Sequence, residues 1–561
     1  MTEEIYSPWK ENYPTGVEWD APLDKCSLYS YIENAVTKHG DCLAIDFLGQ
    51  KTTYSSLGQL INQAAVGLQE LGAKKGTRVG LCLPNTPYSV IFYFASLKVG
   101  ATVVNFNPLY VDKEIAFQIE DSETEIMVTI DLALIYPKIS TMLSATDSLK
   151  KIIVCPFSGI LPPLKGLLFR YLKKKNVASI NEENVFFYNQ IMDNDGKSNP
   201  EIIDIDNDIA VLQYTGGTTG QPKGAMLTHS NLSSNVSQMK LWFPNLSPGT
   251  ESILGVLPLF HIFAMTTVMN FAVATSAQMI LLPRYELKQA LKTIHKKAPT
   301  LFPAVPTIYA GINNSDDLSR YNLSTIRYCI SGGAPLPLEV KNDFEKLTGC
   351  NLVEGYGLSE SSPVATCNPL QGINKDGSIG LPVPSTKLSI RDIENPDQMV
   401  PTNEVGEVWI KGPQVMAGYW KRTEETKDTL VDGWLRTGDS GYMDEDGHFF
   451  LVDRIKDLII CSGVNVYPRN IEEAIYEHPN VSEVTVIGID DDYQGETPKA
   501  FVKLKDDTNL TEKQLIEFLA DKLSKIEIPS QIEFRMELPK TMIGKLSKKE
   551  LKAEEQNKNN Y

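Results

Sequence analysis

An α/β architecture follows from three features of the 561-residue chain: helix and buried-strand patterns alternate over its first two thirds, short alternating strands occupy residues 379–451, and a compact mixed pattern follows residue 457. One core rarely serves more than about 250–300 residues, so the length allows three or more structural units. Residues 56–71 place Leu57, Leu60, Ile61, Ala64, Leu68 and Leu71 at helical spacing, with Ser55 or Ser56 as cap and Gly72 as stop. Residues 79–83 then read as a buried strand. The pair returns as helix 89–99 with strand 102–106 and helix 287–297 with strand 300–305, which predicts parallel α/β layers. Residues 253–282 carry no Asp, Glu, Lys or Arg and are long enough to span a bilayer, but Pro258, His261, Asn270 and Gln278 break them into a strand, a helix and a strand of a buried layer. After a boundary at 453–457, the segments 470–478, 484–489, 500–504 and 511–523 predict an α+β unit of about a hundred residues. Residues 552–561 read as disordered.

Composition narrows the function classes. With 53 basic against 70 acidic residues the formal charge is -17, which argues against a nucleic-acid partner and requires any anionic ligand to be held by local donors. The eight cysteines show no CxxC or metal-ligand spacing, as expected of reduced packing thiols in a cytoplasmic protein. The acidic start Met-Thr-Glu-Glu-Ile does not resemble a secretory signal.

The stretch Tyr214-Thr215-Gly216-Gly217-Thr218-Thr219-Gly220-Gln221-Pro222-Lys223-Gly224 follows the apolar run 209–212, which reads as a buried strand. Glycines and threonines at this density let backbone N–H groups and hydroxyls converge on anionic oxygens, and Lys223 adds positive charge. The spacing is not that of a Walker A loop, so the ordinary P-loop reading loses its support.

Together with its continuation Ala225-Met226-Leu227-Thr228-His229, this loop resembles the signature of the adenylate-forming superfamily, which includes acyl-CoA synthetases, firefly luciferase and peptide-synthetase adenylation domains. Seven further blocks follow in the family's order: Leu257-Pro258-Leu259-Phe260-His261, Ser331-Gly332-Gly333-Ala334-Pro335-Leu336, Gly355-Tyr356-Gly357-Leu358-Ser359-Glu360, Gly418-Tyr419-Trp420, Trp434-Leu435-Arg436-Thr437-Gly438-Asp439, Asp453-Arg454-Ile455-Lys456-Asp457 and Pro539-Lys540-Thr541-Met542-Ile543-Gly544-Lys545. The resemblance implies a large N-terminal domain (1–455) of two doubly wound α/β subdomains plus a small β-barrel subdomain at 379–452, and a small mobile α+β C-terminal domain (456–561) on a hinge. It also implies ATP, Mg2+ and coenzyme A, with an acid activated as acyl-AMP and then passed to a thiol.

Residue by residue, the resemblance assigns Thr215, Gly216, Gly217, Thr218, Thr219, Gly220 and Lys223 to the β- and γ-phosphates and Glu360 to magnesium. Beside Glu360, Ser359 stands where many relatives carry threonine, and Gly357 belongs to the same nucleotide-binding block. Asp439 and Arg454 match the pair that holds the ribose hydroxyls, a task suited to a carboxylate that accepts two hydrogen bonds. Gly332, Gly333, Ala334 and Pro335 match the adenine-lining segment, against which Tyr356 either stacks on the base or serves as a core aromatic. Lys545 matches the lysine that contacts the acyl carboxylate and α-phosphate, whereas Lys548 and Lys549 read as a solvated basic tail. His261 either guards the carboxylate or is a satisfied core histidine. Lys456 occupies the hinge position, Gly463 the loop beside the pantetheine tunnel, and Cys461 takes no catalytic role.

Residues 9–17 and 257–264 look most like bacterial long-chain fatty acyl-CoA ligases, although Met265 stands where some relatives have a gating tryptophan. Residues 159–177 carry Lys165, Arg170, Lys173, Lys174 and Lys175 with no acidic residue, and an apolar stripe of Leu161, Leu164, Leu167, Leu168, Tyr171 and Leu172 on a helix begun by Pro162-Pro163. Such a stretch suits peripheral contact with the inner face of an anionic membrane or a helix packed on the protein. The reading is therefore a long-chain fatty acid–CoA ligase. Its alternatives are an aryl or medium-chain acid–CoA ligase and an acyl-AMP ligase loading a carrier protein. A catalytically silent lipid binder would have lost Glu360, Asp439, Arg454 or Lys545, and all four are present. The sequence leaves the oligomeric state, a homodimer included, open.

Overall fold

The computed structural model describes residues 7–199, 201–215, 221–243, 245–462, 464–491, 493–506, 508–541 and 544–559. Its largest sheet has eight strands in the order Gly418–Tyr419, Lys223–Thr228, Ile209–Thr215, Thr102–Asn105, Arg78–Leu81, Ile126–Ile130, Lys151–Cys155 and Val185–Phe187. The last six run parallel, Lys223–Thr228 runs antiparallel to them, and Gly418–Tyr419 pairs antiparallel with Lys223–Thr228. Strands such as Ile126–Ile130, buried at every position, carry the unbroken apolar runs of a sheet covered on both faces.

A second layer orders Ser252–Gly255, Gln278–Leu281, Leu43–Phe47 and Gln50–Thr53, and a third orders Tyr328–Ser331, Asn351–Gly357, Val364–Cys367 and Leu381–Pro382. The expected strand at 300–305 is instead an extended segment joining these layers through single bridges, Leu301 to Ile253 and Tyr328, and Ala304 to Ser331. Pro303 has no N–H with which to continue a ladder. The apolar run 253–282 resolves as strand, helix and strand, its helix passing through a buried π-helical stretch, Met265–Asn270. Among the described residues no helix is long and apolar enough to cross a membrane.

The β-rich segment orders Lys387–Arg391, Gly406–Lys411, Trp434–Met443 and Leu430–Val431, with Phe449–Arg454 also on Trp434–Met443. A bridge between Gly380 and Phe449 carries this curved layer onto the third sheet. The last sheet contains Val464–Val466, Ile459–Cys461, Gly495–Leu504, Val481–Asp491 and Gln531–Phe534. It has its own core around Ile459, Ile471, Ile475, Val502, Leu515 and Leu519.

Two local expectations are corrected. The helix Tyr54–Glu70 is capped by Thr53, whose hydroxyl accepts from the Ser56 N–H, because Thr53 is the last extended residue before the turn. Of the segment 552–561, the described residues 552–559 are not disordered: they belong to the helix Lys548–Asn559, which buries Leu551 and is pinned by Lys499–Glu555 (2.9 Å) and Lys552–Asp457 (2.9 Å). Lys548 is likewise not solvated but paired with Glu472 at 3.1 Å; burial pulls its pKa down, but the carboxylates of Glu472, Asp453 and Asp457 outweigh it and leave the pKa raised.

Candidate active site

The hairpin of Ile209–Thr215 and Lys223–Thr228 pairs Thr215 with Lys223, so both ends of the predicted phosphate loop are fixed by the sheet. Gly216, Gly217, Thr218, Thr219 and Gly220 lie outside the described residues. Gly418–Tyr419 adds a short strand beside Lys223–Thr228, which brings the Tyr419 ring within 5.1 Å of Lys223 Nζ while its hydroxyl donates to Glu360 Oε1 at 2.7 Å. One aromatic residue thus ties the loop lysine to the candidate metal ligand. Tyr419 was within a recognised block, but the sequence carried no sign of this bridging role.

Glu360 sits in the turn Ser359–Ser361, whose position is set by Met416 N–H donating to the Glu360 carbonyl at 2.8 Å. Only the Tyr419 hydroxyl donates to its carboxylate among the described residues, and no group of three or more His, Cys, Asp or Glu residues able to hold a metal occurs there. A lone carboxylate fits magnesium, which keeps waters and takes phosphate oxygens rather than requiring an all-protein cage.

The nucleotide side is better defined. Asp439 and Arg454 face each other across neighbouring antiparallel strands, Arg454 Nε lying 3.1 Å from Asp439 Oδ1. The Tyr356 hydroxyl donates to Oδ2 of the same carboxylate at 2.6 Å, and burial followed by the Asp439 charge raises the phenol's pKa well above normal. Tyr356 is therefore anchored to Asp439 rather than being an unattached core ring.

The adenine-lining candidates leave the end of strand Tyr328–Ser331 at a place where the chain must be thin. A Cβ on Gly332 would meet the Phe263 ring at 3.0 Å, Gly333 has φ +80, and a Cβ on Gly357 would collide with the Pro363 carbonyl. Ala334 is half-buried and Pro335 exposed beside them.

Lys545 closes the site from the other side. Its segment is docked by Thr307, whose hydroxyl donates to the Gly544 carbonyl at 2.9 Å, and by Thr541, whose hydroxyl accepts the Lys545 N–H at 3.2 Å. The half-buried ammonium forms no ion pair with any described residue. Burial and then the Arg454 guanidinium depress its pKa, against the pull of Asp439 and Asp457. An unpaired cation in such surroundings calls for an anionic ligand. His261 accepts the Phe263 N–H on Nδ1 at 3.2 Å, and burial, reinforced by the Lys545 ammonium, holds its pKa at about 4. The ring is neutral and Nε2 carries the proton.

Lys456 is exposed in the turn Ile455–Asp457, and Gly463 lies outside the described residues. The Cys461 thiol is buried and its pKa is raised, first by burial. Across the turn, Arg469 donates to the Leu451 carbonyl through Nη1 (2.9 Å) and to Asp453 Oδ2 through its N–H (3.0 Å). These contacts had no local sequence signal.

The model of the AMP-binding enzyme family matches residues 32–420, and that of the AMP-binding enzyme C-terminal domain matches 470–545. The chain belongs to the AMP-binding enzyme family. It is 43% identical over 554 residues to a long-chain-fatty-acid–CoA ligase of Bacillus subtilis, covering 98% of each chain. To a 4-coumarate–CoA ligase of Humulus lupulus it is 31% identical, covering 94% of this chain and 93% of that one. Among solved structures, an anthranilate–CoA ligase in complex with anthranoyl-AMP has a TM-score of 0.85 at 26% identity, covering 96% of this chain and 99% of that one.

Proposed function

We propose that this member of the AMP-binding enzyme family is an AMP-forming long-chain fatty acid–CoA ligase. The fatty acid carboxylate attacks the α-phosphorus of ATP, breaking the bond to pyrophosphate and giving acyl-AMP. The thiol of coenzyme A then attacks the acyl carbon, forming the thioester and releasing AMP. The observation that carries the chemistry is the unpaired Lys545 ammonium held beside Asp439 and Arg454, where an acyl carboxylate and α-phosphate would supply the missing anion.

The Tyr356–Asp439–Arg454 cluster suits a ribose, with Asp439 as acceptor, and the thin chain at Gly332 and Gly333 suits an adenine face. Magnesium bound at Glu360 would neutralise charge on the phosphates. Neutral His261 can donate from Nε2 toward the carboxylate. A small apolar cavity lined by Met239, Phe243, Thr267, Phe271, Tyr328 and Ile330 holds about one water as it stands, so an alkyl chain would have to widen it. Met265 does not line it; its sulfur instead accepts from Asn105 Nδ2 at 3.3 Å.

The second half-reaction requires Lys545 to withdraw and the loop bearing Gly463 to enter. An exposed Lys456, in a turn between two separately cored regions, supports a hinge there. The identity to a fatty acid ligase along 98% of both chains supports the choice of acid. Incubation with ATP, coenzyme A and an acid panel tests the reading through thioester formation and AMP release. Palmitate or oleate should exceed octanoate and coumarate; preference for a hydroxycinnamate, or thioester formation without coenzyme A, overturns it.

A further inference from the structure

After strand Lys151–Cys155 the chain makes the turn Phe157–Ile160, the helix Pro163–Leu172 and the turn Lys174–Asn176. The helix is fastened on one side only. Gly166 packs so closely on the Ser158 carbonyl that a Cβ would collide with it, Phe169 lies 5.0 Å from Phe157, and Arg170 Nε donates to Ser158 Oγ at 2.9 Å. On the other side Leu164, Leu167, Leu168, Tyr171 and Leu172 follow the spacing of a single helical face and are 71, 54, 48, 77 and 75% exposed. An amphipathic helix ordinarily turns its apolar stripe to the core. Here the stripe points outward and no described residue covers it.

The patch continues beyond the helix. Ala133 N–H donates to the Asn176 carbonyl at 2.8 Å, which places Leu134, 68% exposed, beside its end. Lys173, Lys174 and Lys175 follow the stripe without a salt bridge to a described residue, while Lys165 Nζ and Arg170 Nε are engaged with the Leu48 carbonyl (3.0 Å) and Ser158 Oγ (2.9 Å), and residues 159–177 contain no Asp or Glu in a chain of net charge -17. Below the helix, the Tyr88 hydroxyl donates to the Pro156 carbonyl at 3.0 Å. Tyr88 belongs to the helix Pro87–Lys98, whose Ser89 and Tyr93 line a cavity with Phe260, the neighbour of His261.

We propose that the helix Pro163–Leu172 lies flat in the surface of an anionic bilayer, its apolar face in the acyl boundary and the lysines that follow it, Lys173, Lys174 and Lys175, among the phosphates. A second copy of the chain is a poorer occupant, since face-to-face pairing would bring two sets of unpaired basic residues together. The proposal deepens the fatty acid reading by naming the surface that supplies the acid. It rests on that reading only for its purpose, because lipid binding is measured without the reaction.

The test is co-sedimentation of the full chain with vesicles of phosphatidylcholine, alone or mixed with phosphatidylglycerol. Each basic residue near an anionic surface contributes about fivefold in partitioning, so binding should rise more than tenfold with the anionic lipid and fall as salt is added. A Leu167→Gln/Leu168→Gln/Tyr171→Ser variant and a Lys173→Glu/Lys174→Glu/Lys175→Glu variant should each lose roughly tenfold or more. Both should keep wild-type turnover of dissolved octanoate, which reports that they are folded. The proposal is overturned if the wild type does not bind, if either variant binds equally, or if the leucine variant converts a dimer to monomers without affecting vesicle binding. Absence of thioester formation by the wild type from every acid of the panel, with vesicle binding intact, would sink the ligase reading and leave the lipid surface standing.

Discussion

Asp439 and Arg454 occupy directly opposed positions on two antiparallel strands, and the carboxylate that meets the guanidinium at 3.1 Å also accepts the Tyr356 hydroxyl at 2.6 Å. Three side chains from sequence positions nearly a hundred residues apart thereby present one oriented acceptor. If that acceptor holds ribose, Asp439→Asn should raise the KM for ATP and lower kcat/KM by tenfold or more, as expected for loss of a charged hydrogen bond of roughly 1.5–3 kcal/mol. Tyr356→Phe, which removes only the anchor, should have a smaller effect of the same kind. Initial rates of AMP release against ATP concentration check both; an unchanged KM for ATP in Asp439→Asn would remove the carboxylate from the nucleotide site.

Lys545→Ala separates the half-reactions. If the ammonium meets the charge that builds on the α-phosphate, its removal should slow acyl-AMP formation by roughly 10²–10³-fold, the scale for deleting one preorganised donor. Thioester formation from synthetic acyl-AMP and coenzyme A should stay within a few-fold of wild type. Equal loss in both assays would mean that Lys545 supports the fold rather than the first step.

The candidate site was legible in the sequence through the resemblance, block by block. Asp439, Arg454 and Glu360 converge from separate blocks, and the parallel layers followed from runs such as Ile126–Ile130. Long-range relations were not legible: Tyr419 between Lys223 and Glu360, and Thr307 under Gly544, depend on pairings that no local pattern encodes. The terminal helix was misread because a single buried residue, Leu551, and a few ion pairs hold an otherwise polar segment. Apolar periodicity is silent when charge pairing holds the helix in place.

Arg469 crosses the turn that contains Lys456, binding the Leu451 carbonyl and Asp453 from the first helix of the C-terminal region. A rotation about that turn must break these contacts. Arg469→Ala should therefore weaken the pose that places Lys545 over the nucleotide, slowing acyl-AMP formation several-fold while leaving or raising the rate from acyl-AMP and coenzyme A. Single-turnover measurements of each step check this; a slowed second step alone would contradict it.

Glu354 is a buried carboxyl within the electrostatic reach of Arg469. It is buried, accepts the Leu336 N–H at 3.2 Å, and has a carboxyl pKa raised to about 7 by burial, with Arg469 and Lys341 opposing the shift and Glu473 adding to it. The folded chain keeps this proton to higher pH than the unfolded chain does. As pH rises from about 4.5, the unfolded state releases the proton first, so this residue's contribution to stability falls until about pH 7 and is level above it. Glu354→Gln retains the acceptor and removes the charge. It should match wild type in stability near the acid end of this range and exceed it at about pH 8, by roughly 3 kcal/mol from a shift of this size. Thermal unfolding at the two pH values measures the difference. A constant gap would show that Glu354 titrates normally, whereas a gap growing with pH would show that ionising this buried carboxyl costs stability.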